Sequence, residues 1–380
     1  MSNRRKKLVA ATMCVLAVLA SGHAARAADV AATNAVGWGW NSLGQVGSGS
    51  PPGSHLVPTP VAGAHLFERI AVGQTHTVAL KGDGTVWRWG DKDPIHYAPF
   101  PQEYDPVPVQ VPGLTNVTAI AAGADVSLAL RSDGTVWAWG ANENGQLCDG
   151  TTVDRTTPVR VALPGVTGAA TSGHHSMFLR QDGTVWTCGS NSRGELGDGT
   201  TTSRSTPVKV AGLSSAVQVG AGMHYSLARR SDGTVWGWGE NERGQLATGS
   251  FTSHRVTAAP LPGLSGVVSI SAGMSHALAL TNAGQVRSWG ENSTGQLCDG
   301  TKVNRAAPVQ VPGLPASVSE ISAGRFSIAV RAAGSAYTCG RNNGGQLGDG
   351  TTTDRLHPAL VPGAYRQIAV GGSHVVTLLA

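Results

Sequence analysis

Four histidines stand at one equivalent position of a repeating pattern: His76, His175, His276 and His374. Imidazoles that recur at a fixed position raise the question of a zinc site. The other equivalent positions carry Val126, Tyr225 and Phe326. Valine and phenylalanine cannot ligate a metal, so the position reads as a structural histidine at the start of an inner strand. Asp-Gly-Thr loops recur over residues 149–155, 198–204, 299–305 and 349–355. Calcium through Asp149 with Asp154, or Asp349 with Asp354, would be the chemistry of such loops. The second acid becomes Ser203 and Asn304 in the sister loops. That favours turns in which the first Asp accepts backbone N–H bonds. No Ser-His-Asp set and no pair of carboxylates stands clear of the repeat. The chain is therefore expected to have no catalytic residues, no metal and no cofactor, and not to be an enzyme.

The cysteines carry more. Cys14 lies in an apolar N-terminal run; four others remain, at 148, 188, 298 and 339. Cys148 and Cys298 replace the last Gly of a Gly-Gln-Leu-Gly loop. Cys188 and Cys339 replace the Trp of a Trp-Gly pair one repeat later. No other repeat has either replacement, and this coincidence selects Cys148–Cys188 and Cys298–Cys339 from the three possible pairings. Each bridge would close a loop of about 40 residues and contribute roughly 2–4 kcal/mol.

One segment departs from the repeat. After Trp89-Gly90 the Asn and the Gly-Gln-Leu-Gly loop give way to Asp-Lys-Asp-Pro-Ile-His-Tyr-Ala-Pro-Phe-Pro-Gln-Glu-Tyr, residues 91–104. Three of the ten Tyr and Phe residues in the chain, Tyr97, Phe100 and Tyr104, fall within eight positions. Pro94, Pro99 and Pro101 oppose a helix, so an extended loop is expected. Loops on a rigid scaffold commonly bind, and aromatic side chains suit interface centres. Asp91, Tyr97, Phe100 and Tyr104 are the candidate binding residues.

These groups need a frame, and the frame is the repeat. Trp-Gly or Cys-Gly occurs at 38, 89, 139, 188, 238, 289 and 339, at spacings of 51, 50, 49, 50, 51 and 50 residues. Trp38, Trp89, Trp139, Trp238 and Trp289 are thus structural repeat positions. A period near 50 suggests propeller blades rather than helical units. Within one period, short apolar runs at 207–210, 216–219, 225–228 and 234–238 are bounded by Gly or Pro, as four strands would be. Asp-Gly at 83, 133, 182 and 232 marks tight hairpins in which both residues tolerate positive φ. Trp38 has no upstream Gly-x-x-His strand, and residues 367–379 supply one. The two partial repeats make one blade, closing a ring without an open edge.

Trp-Gly-x-Asn-x-x-Gly-Gln-Leu-Gly-Asp-Gly-Thr, preceded by Ala-Gly-x-x-His-Ser-x-Ala-Leu, resembles the regulator-of-chromosome-condensation repeat from about Ala35 onward. The resemblance implies an all-β, seven-bladed propeller of four-stranded blades. Family members include guanine-nucleotide exchange factors for a small GTPase, domains of signalling proteins and bacterial proteins.

The N-terminus reads differently. Arg4, Arg5, Lys6 and Lys7 precede an apolar stretch over 8–20, and Ala25-Arg26-Ala27 offers a cleavage site. Residues 1–27 are expected to be a signal peptide and 28–380 the propeller, placing the mature protein in the periplasm or outside the cell. An apolar run of 13 is short of the roughly 18 needed to span a membrane. The precursor has 28 basic and 23 acidic residues. Residues 1–27 hold five of the basic ones, so the mature chain has 23 of each and zero formal charge. No nucleic-acid partner is expected of it. The expected function is an exported, monomeric binding scaffold whose partner is a protein or a cell-surface glycan. An exchange-factor-like regulator, implied by the resemblance, is the alternative, and a propeller lyase or glycosidase a second one.

Overall fold

The computed structural model describes residues 35–92 and 103–380, and its regular elements there are all β-strands. They form seven antiparallel four-stranded sheets, the blades of a propeller. From the centre outward, blade 1 consists of Tyr365–Val370, His374–Leu379, Ala35–Trp40 and Ser54–Pro60. The chain ends therefore meet inside one sheet, with Val36 opposite Thr377 and Trp38 opposite Val375. The other blades each come from one continuous stretch: 67–110, 117–160, 166–209, 216–260, 267–310 and 318–361, blades 2 to 7.

Burial explains the strand sequences. The second strand of each blade is sandwiched between neighbouring blades on both faces, so Val126–Arg131 (VSLALR) is buried at every residue but its last. A strand covered on both faces needs no polar alternation. The outermost strands face water and mix polar with apolar residues, as in Arg155–Arg160 (RTTPVR).

The hairpins between second and third strands revise the expected turn. In blade 2 only Gly84 takes positive φ, at +78°. Gly84 N–H donates to Lys81 O at 3.0 Å, and the Asp83 carboxylate accepts the N–H of Thr85 at 2.9 Å. This is a type I turn followed by a left-handed glycine, so Asp serves as a local acceptor, not as a second left-handed residue. Blade 7 uses a tighter turn. Ala332 pairs with Ser335 across Ala333 and Gly334, whose φ values are +50° and +81°. That hairpin is one residue shorter, which shifts the count along the strand. Ser327 faces Gly340 as His276 faces Gly290. The counterpart of the repeat histidine in blade 7 is thus Ser327, not Phe326.

The four repeat histidines also begin second strands, not inner ones. All are buried. His76 Nε2 lies 2.9 Å from Ser127 Oγ, His175 Nε2 2.8 Å from Ser226 Oγ, and His374 Nε2 3.1 Å from Thr77 Oγ1. Each bond crosses to the next blade. Three of the histidines thus tie neighbouring blades, the ring nitrogens of buried His276 have no hydrogen-bond partner among the described residues, and the four do not converge on one point.

Candidate functional site

The loops between third and fourth strands share one face of the ring with the turns after the inner strands. In every blade but the second the loop is organised by the Asn of the repeat. Asn142 Oδ1 accepts the Leu147 N–H at 2.9 Å, and Nδ2 donates to Thr151 O and Val153 O, both at 3.1 Å. The Asp-Gly-Thr segment closes the knot. Asp149 accepts from Thr151 N at 2.9 Å and Arg155 Nε at 3.0 Å, and Asp154 accepts from Asn142 N at 2.6 Å. Burial opposes the charge of Asp149, but Thr151, Arg155 and Asn142 outweigh it and hold its carboxyl below the usual carboxylate range. Both acids of the postulated calcium pair are thus turned toward N–H donors.

The loops of six blades lie over the next blade and latch to it. Trp89 Nε1 donates to Gln45 O at 3.0 Å, Trp238 Nε1 to Glu195 O at 2.8 Å, Trp289 Nε1 to Gln245 O at 2.9 Å and Trp38 Nε1 to Gln346 O at 3.0 Å. These four Trp side chains are fully buried. A Cβ on Gly47 would fall 2.6 Å from the Trp89 ring nitrogen, and one on Gly348 2.7 Å from that of Trp38. Two seams use a different latch: Cys148–Cys188 and Cys298–Cys339 are disulfides with Cα separations of 5.7 and 5.9 Å. The loop cysteines keep the left-handed backbone of the glycines they replace, with φ of +58° each. The volume lost with the Trp is refilled from the neighbouring strand. Phe178 packs in one cluster with Cys188, and Val330 with Cys339, where blades 2, 3, 5 and 6 have Ala79, Ala129, Ala228 and Ala279.

Among the described residues, the seam between blades 2 and 3 has neither latch. Gly90 faces Asp105 just as Gly140 faces Arg155, so the altered segment has the length of its neighbours and differs only in sequence. Trp139 of blade 3 is 6% exposed where the four latched Trp are at 0%. No carbonyl of a described residue accepts its indole N–H. A small cleft opens there, lined among others by Arg88, Asp91, Lys92, Asp125, Trp139 and Arg155. Asp105 forms ion pairs with Lys92 Nζ at 3.1 Å and Arg88 Nη2 at 3.4 Å, which places two cations at the cleft's blade 2 side.

The expected binding residues divide around this cleft. Asp91 lines it, but as the buried last residue of the strand Val86–Asp91. Tyr104 is the first residue of Tyr104–Gln110, pairs with Asp91, and is half-buried beside Gly44. Both belong to strands and not to the expected loop, because the ladder continues past Gly90. Tyr97 and Phe100 lie outside the described residues, as do residues 1–34 with the expected cleavage site.

A second feature of this face was missed in the sequence. Glu195 stands where other loops carry Gln, and its carboxylate lies 3.2 Å from His224 Nδ1 across the seam of blades 4 and 5. Burial opposes its ionisation, yet the His224 hydrogen bond, with others, keeps its carboxyl below the usual range. The His224 ring stacks on His174 at 5.3 Å. Burial first and then His224 push the His174 imidazole down. The signal was available: Gly-Glu-Leu-Gly is the one acidic variant of its loop, and His174-His175 is an adjacent pair. Around the central opening, the residue after each turn glycine donates its N–H to the next blade, as Gln74 to Gly123 O and Met274 to Gly324 O. At blade 4 Ser172 replaces the glycine, and the following Gly173 N–H donates within the blade to Thr171 Oγ1, at 3.3 Å.

Among the described residues no three His, Cys, Asp or Glu side chains assemble as a metal set, and no helix is long and apolar enough to cross a membrane.

The RCC1-like domain model matches residues 164–377. The chain belongs to the regulator of chromosome condensation (RCC1) family. RCC1 repeat models also match residues 37–80, 133–179 and 117–146. Among solved structures, human WBSCR16 is similar at 26% identity and a TM-score of 0.82, over 92% of this chain and 99% of that one. Prp20p from Saccharomyces cerevisiae, itself yeast RCC1, is similar in fold at 21% identity and a TM-score of 0.80, over 92% of each chain. The RCC1-type blades of this chain thus account for the Trp-Gly and Gly-Gln-Leu-Gly positions as halves of one inter-blade latch.

Proposed function

We propose that this RCC1-family propeller is an exported, monomeric binding scaffold, without catalysis of its own, that holds a protein or a cell-surface glycan on its loop-bearing face. The observation that carries this reading is the seam where, among the described residues, no latch is found. Six seams are closed by an indole or a disulfide, while the seam of blades 2 and 3 keeps a cleft with charges of both signs around Trp139. A blade under selection for closure alone had the standard loop sequence available at the same length. The two disulfides suit an oxidising compartment, in keeping with the signal-like N-terminus. Prp20p, which shares the fold, binds Gsp1p and histones and is found bound to Kap60. Protein binding on such a ring therefore has precedent, although the fold does not specify the partner.

The test replaces the altered segment with a standard loop. Residues 91–104 are exchanged for the sequence of residues 141–154, with Gly in place of Cys148 so that Trp139 can latch. Parent and graft are used to capture envelope and secreted proteins and to probe a glycan array. Binding by the parent that the graft loses, at equal or higher melting temperature, supports the reading. Equal binding by both proteins refutes it.

A further inference from the structure

The central opening holds a cation with no counter-charge. Each blade contributes the end of its inner strand and the turn after it to the lip, whose side chains include Gln74, His174, Met223, Met274 and Arg325. Arg325 is the only Asp, Glu, Lys or Arg side chain among the described lining residues. Its guanidinium lies 4.9 Å from the Phe326 ring centroid, and that of Arg341 lies 5.0 Å from the same centroid. The Arg325 Nε is buried without a hydrogen-bond partner. Burial and then Arg341 lower its basicity, and no carboxylate offsets them. Leaving a buried donor of a charged group unmatched is costly. Arg325 and Arg341 also repel each other across the Phe326 ring, and an anion on the half-buried Arg325 guanidinium would relieve that repulsion.

The opening also has room and an apolar wall. Its volume is ≈140 Å³, close to that of an engineered cavity, about 150 Å³, that admits benzene. Met223 and Met274 adjoin each other on the lip and offer adaptable apolar contacts. The turn N–H groups cannot serve the ligand, because most of them are engaged with the next blade. Charge recognition therefore falls to Arg325.

We propose that the central opening is a binding site for a small carboxylate with a short apolar body, its anionic group on Arg325 and its carbon chain against Met223 and Met274. The site is separate from the seam of blades 2 and 3, and does not depend on the function proposed for that seam. Guanidinium geometry matches a carboxylate through paired N–H donors, and a second cation at Arg341 raises the local potential.

The experiment is calorimetric titration of the purified protein with butyrate, 1-butanol and inorganic sulfate. Butyrate has about the six heavy atoms of the benzene that such a volume admits. The expected result is saturable butyrate binding at least tenfold tighter than 1-butanol, with sulfate competing for the same site. Arg325→Met should weaken butyrate at least tenfold, and Arg341→Gln severalfold, at unchanged melting temperature. Arg204→Met, on an outer strand, should leave butyrate binding as it is. Equal affinity for butyrate and 1-butanol, or undiminished butyrate binding by a folded Arg325→Met, overturns the proposal. Should Arg325→Met melt early, the comparison of butyrate with 1-butanol on the unaltered protein decides alone.

Discussion

The two kinds of latch should be interchangeable if their volumes are exchanged together. The seam of blades 3 and 4 tests this with Cys148→Gly, Cys188→Trp and Phe178→Ala. The disulfide spans 40 residues, and a chain-entropy estimate for that length is about 4 kcal/mol. Phe178→Ala alone removes a fully buried ring, at about 4 kcal/mol. Cys148→Gly with Cys188→Trp loses the disulfide and forces an indole against Phe178. Overpacking adds about 2 kcal/mol, and release of residue 148 from its left-handed backbone returns about 1 kcal/mol, so the pair should cost about 5 kcal/mol. Added independently, the two changes would cost about 9 kcal/mol. Combined, the new indole occupies the space of Phe178. It can donate to Gln146 O, which already accepts from Ser176 Oγ at 2.7 Å, as Gln45 O accepts from both Thr77 and Trp89. Apolar burial and one hydrogen bond should return most of the loss. The triple variant is then expected within about 2 kcal/mol of the parent. Urea denaturation of all four proteins, with and without dithiothreitol, measures this. The parent should lose stability at two seams on reduction and the triple variant at one. A triple variant as unstable as the sum of its parts would refute the interchange of latches.

Acid should unfold the protein through its buried imidazoles. Burial lowers His175 and His276 to about 4 and, with His76, His374 to about 3. These values lie below the roughly 6.5 of the unfolded chain. The unfolded state therefore binds more protons as pH falls below 6.5, and stability present above that pH is lost. At pH 5 the loss is on the order of 2 kcal/mol for each of the three, and denaturation midpoints from pH 7.5 to 4.5 should show it; a flat profile would contradict neutral burial. Removing residues 367–380 takes most of the two inner strands of blade 1, and should abolish cooperative unfolding or cause aggregation; a soluble truncation with the parent's melting curve would speak against ring closure. The blade 2 loop graft should gain about 1 kcal/mol as Trp139 acquires an acceptor, read by the same denaturation series.

The repeat period, the four strands per blade, the closure of the ring and both disulfide pairings were legible in the residues alone. Each rests on a pattern that recurs in register: Trp or Cys before Gly, and a cysteine in one repeat answered by another in the next. Local chemistry was less legible where counting along the chain replaced pairing across it. Phe326 was misplaced because the Ala333-Gly334 hairpin is one residue shorter and the count was taken from that hairpin; counted from Gly324 the position falls on Ser327, as the strand opposite shows. Asp91 and Tyr104 read as loop residues because strand ladders are made by partners, not by composition. What the tertiary structure alone decided lies between blades. The Gly-Gln-Leu-Gly loop and the Trp-Gly of the next repeat are some 40 residues apart in sequence, yet they form one contact. Only that contact explains why Gly accompanies Trp, why Cys accompanies Cys, and why Phe178 stands in an alanine position. The same packing brought Glu195 to His224 and set Arg325 unpaired at the central opening. Distances across a closed ring depend on how seven sheets fill the space between them, and a linear period carries no information about that filling.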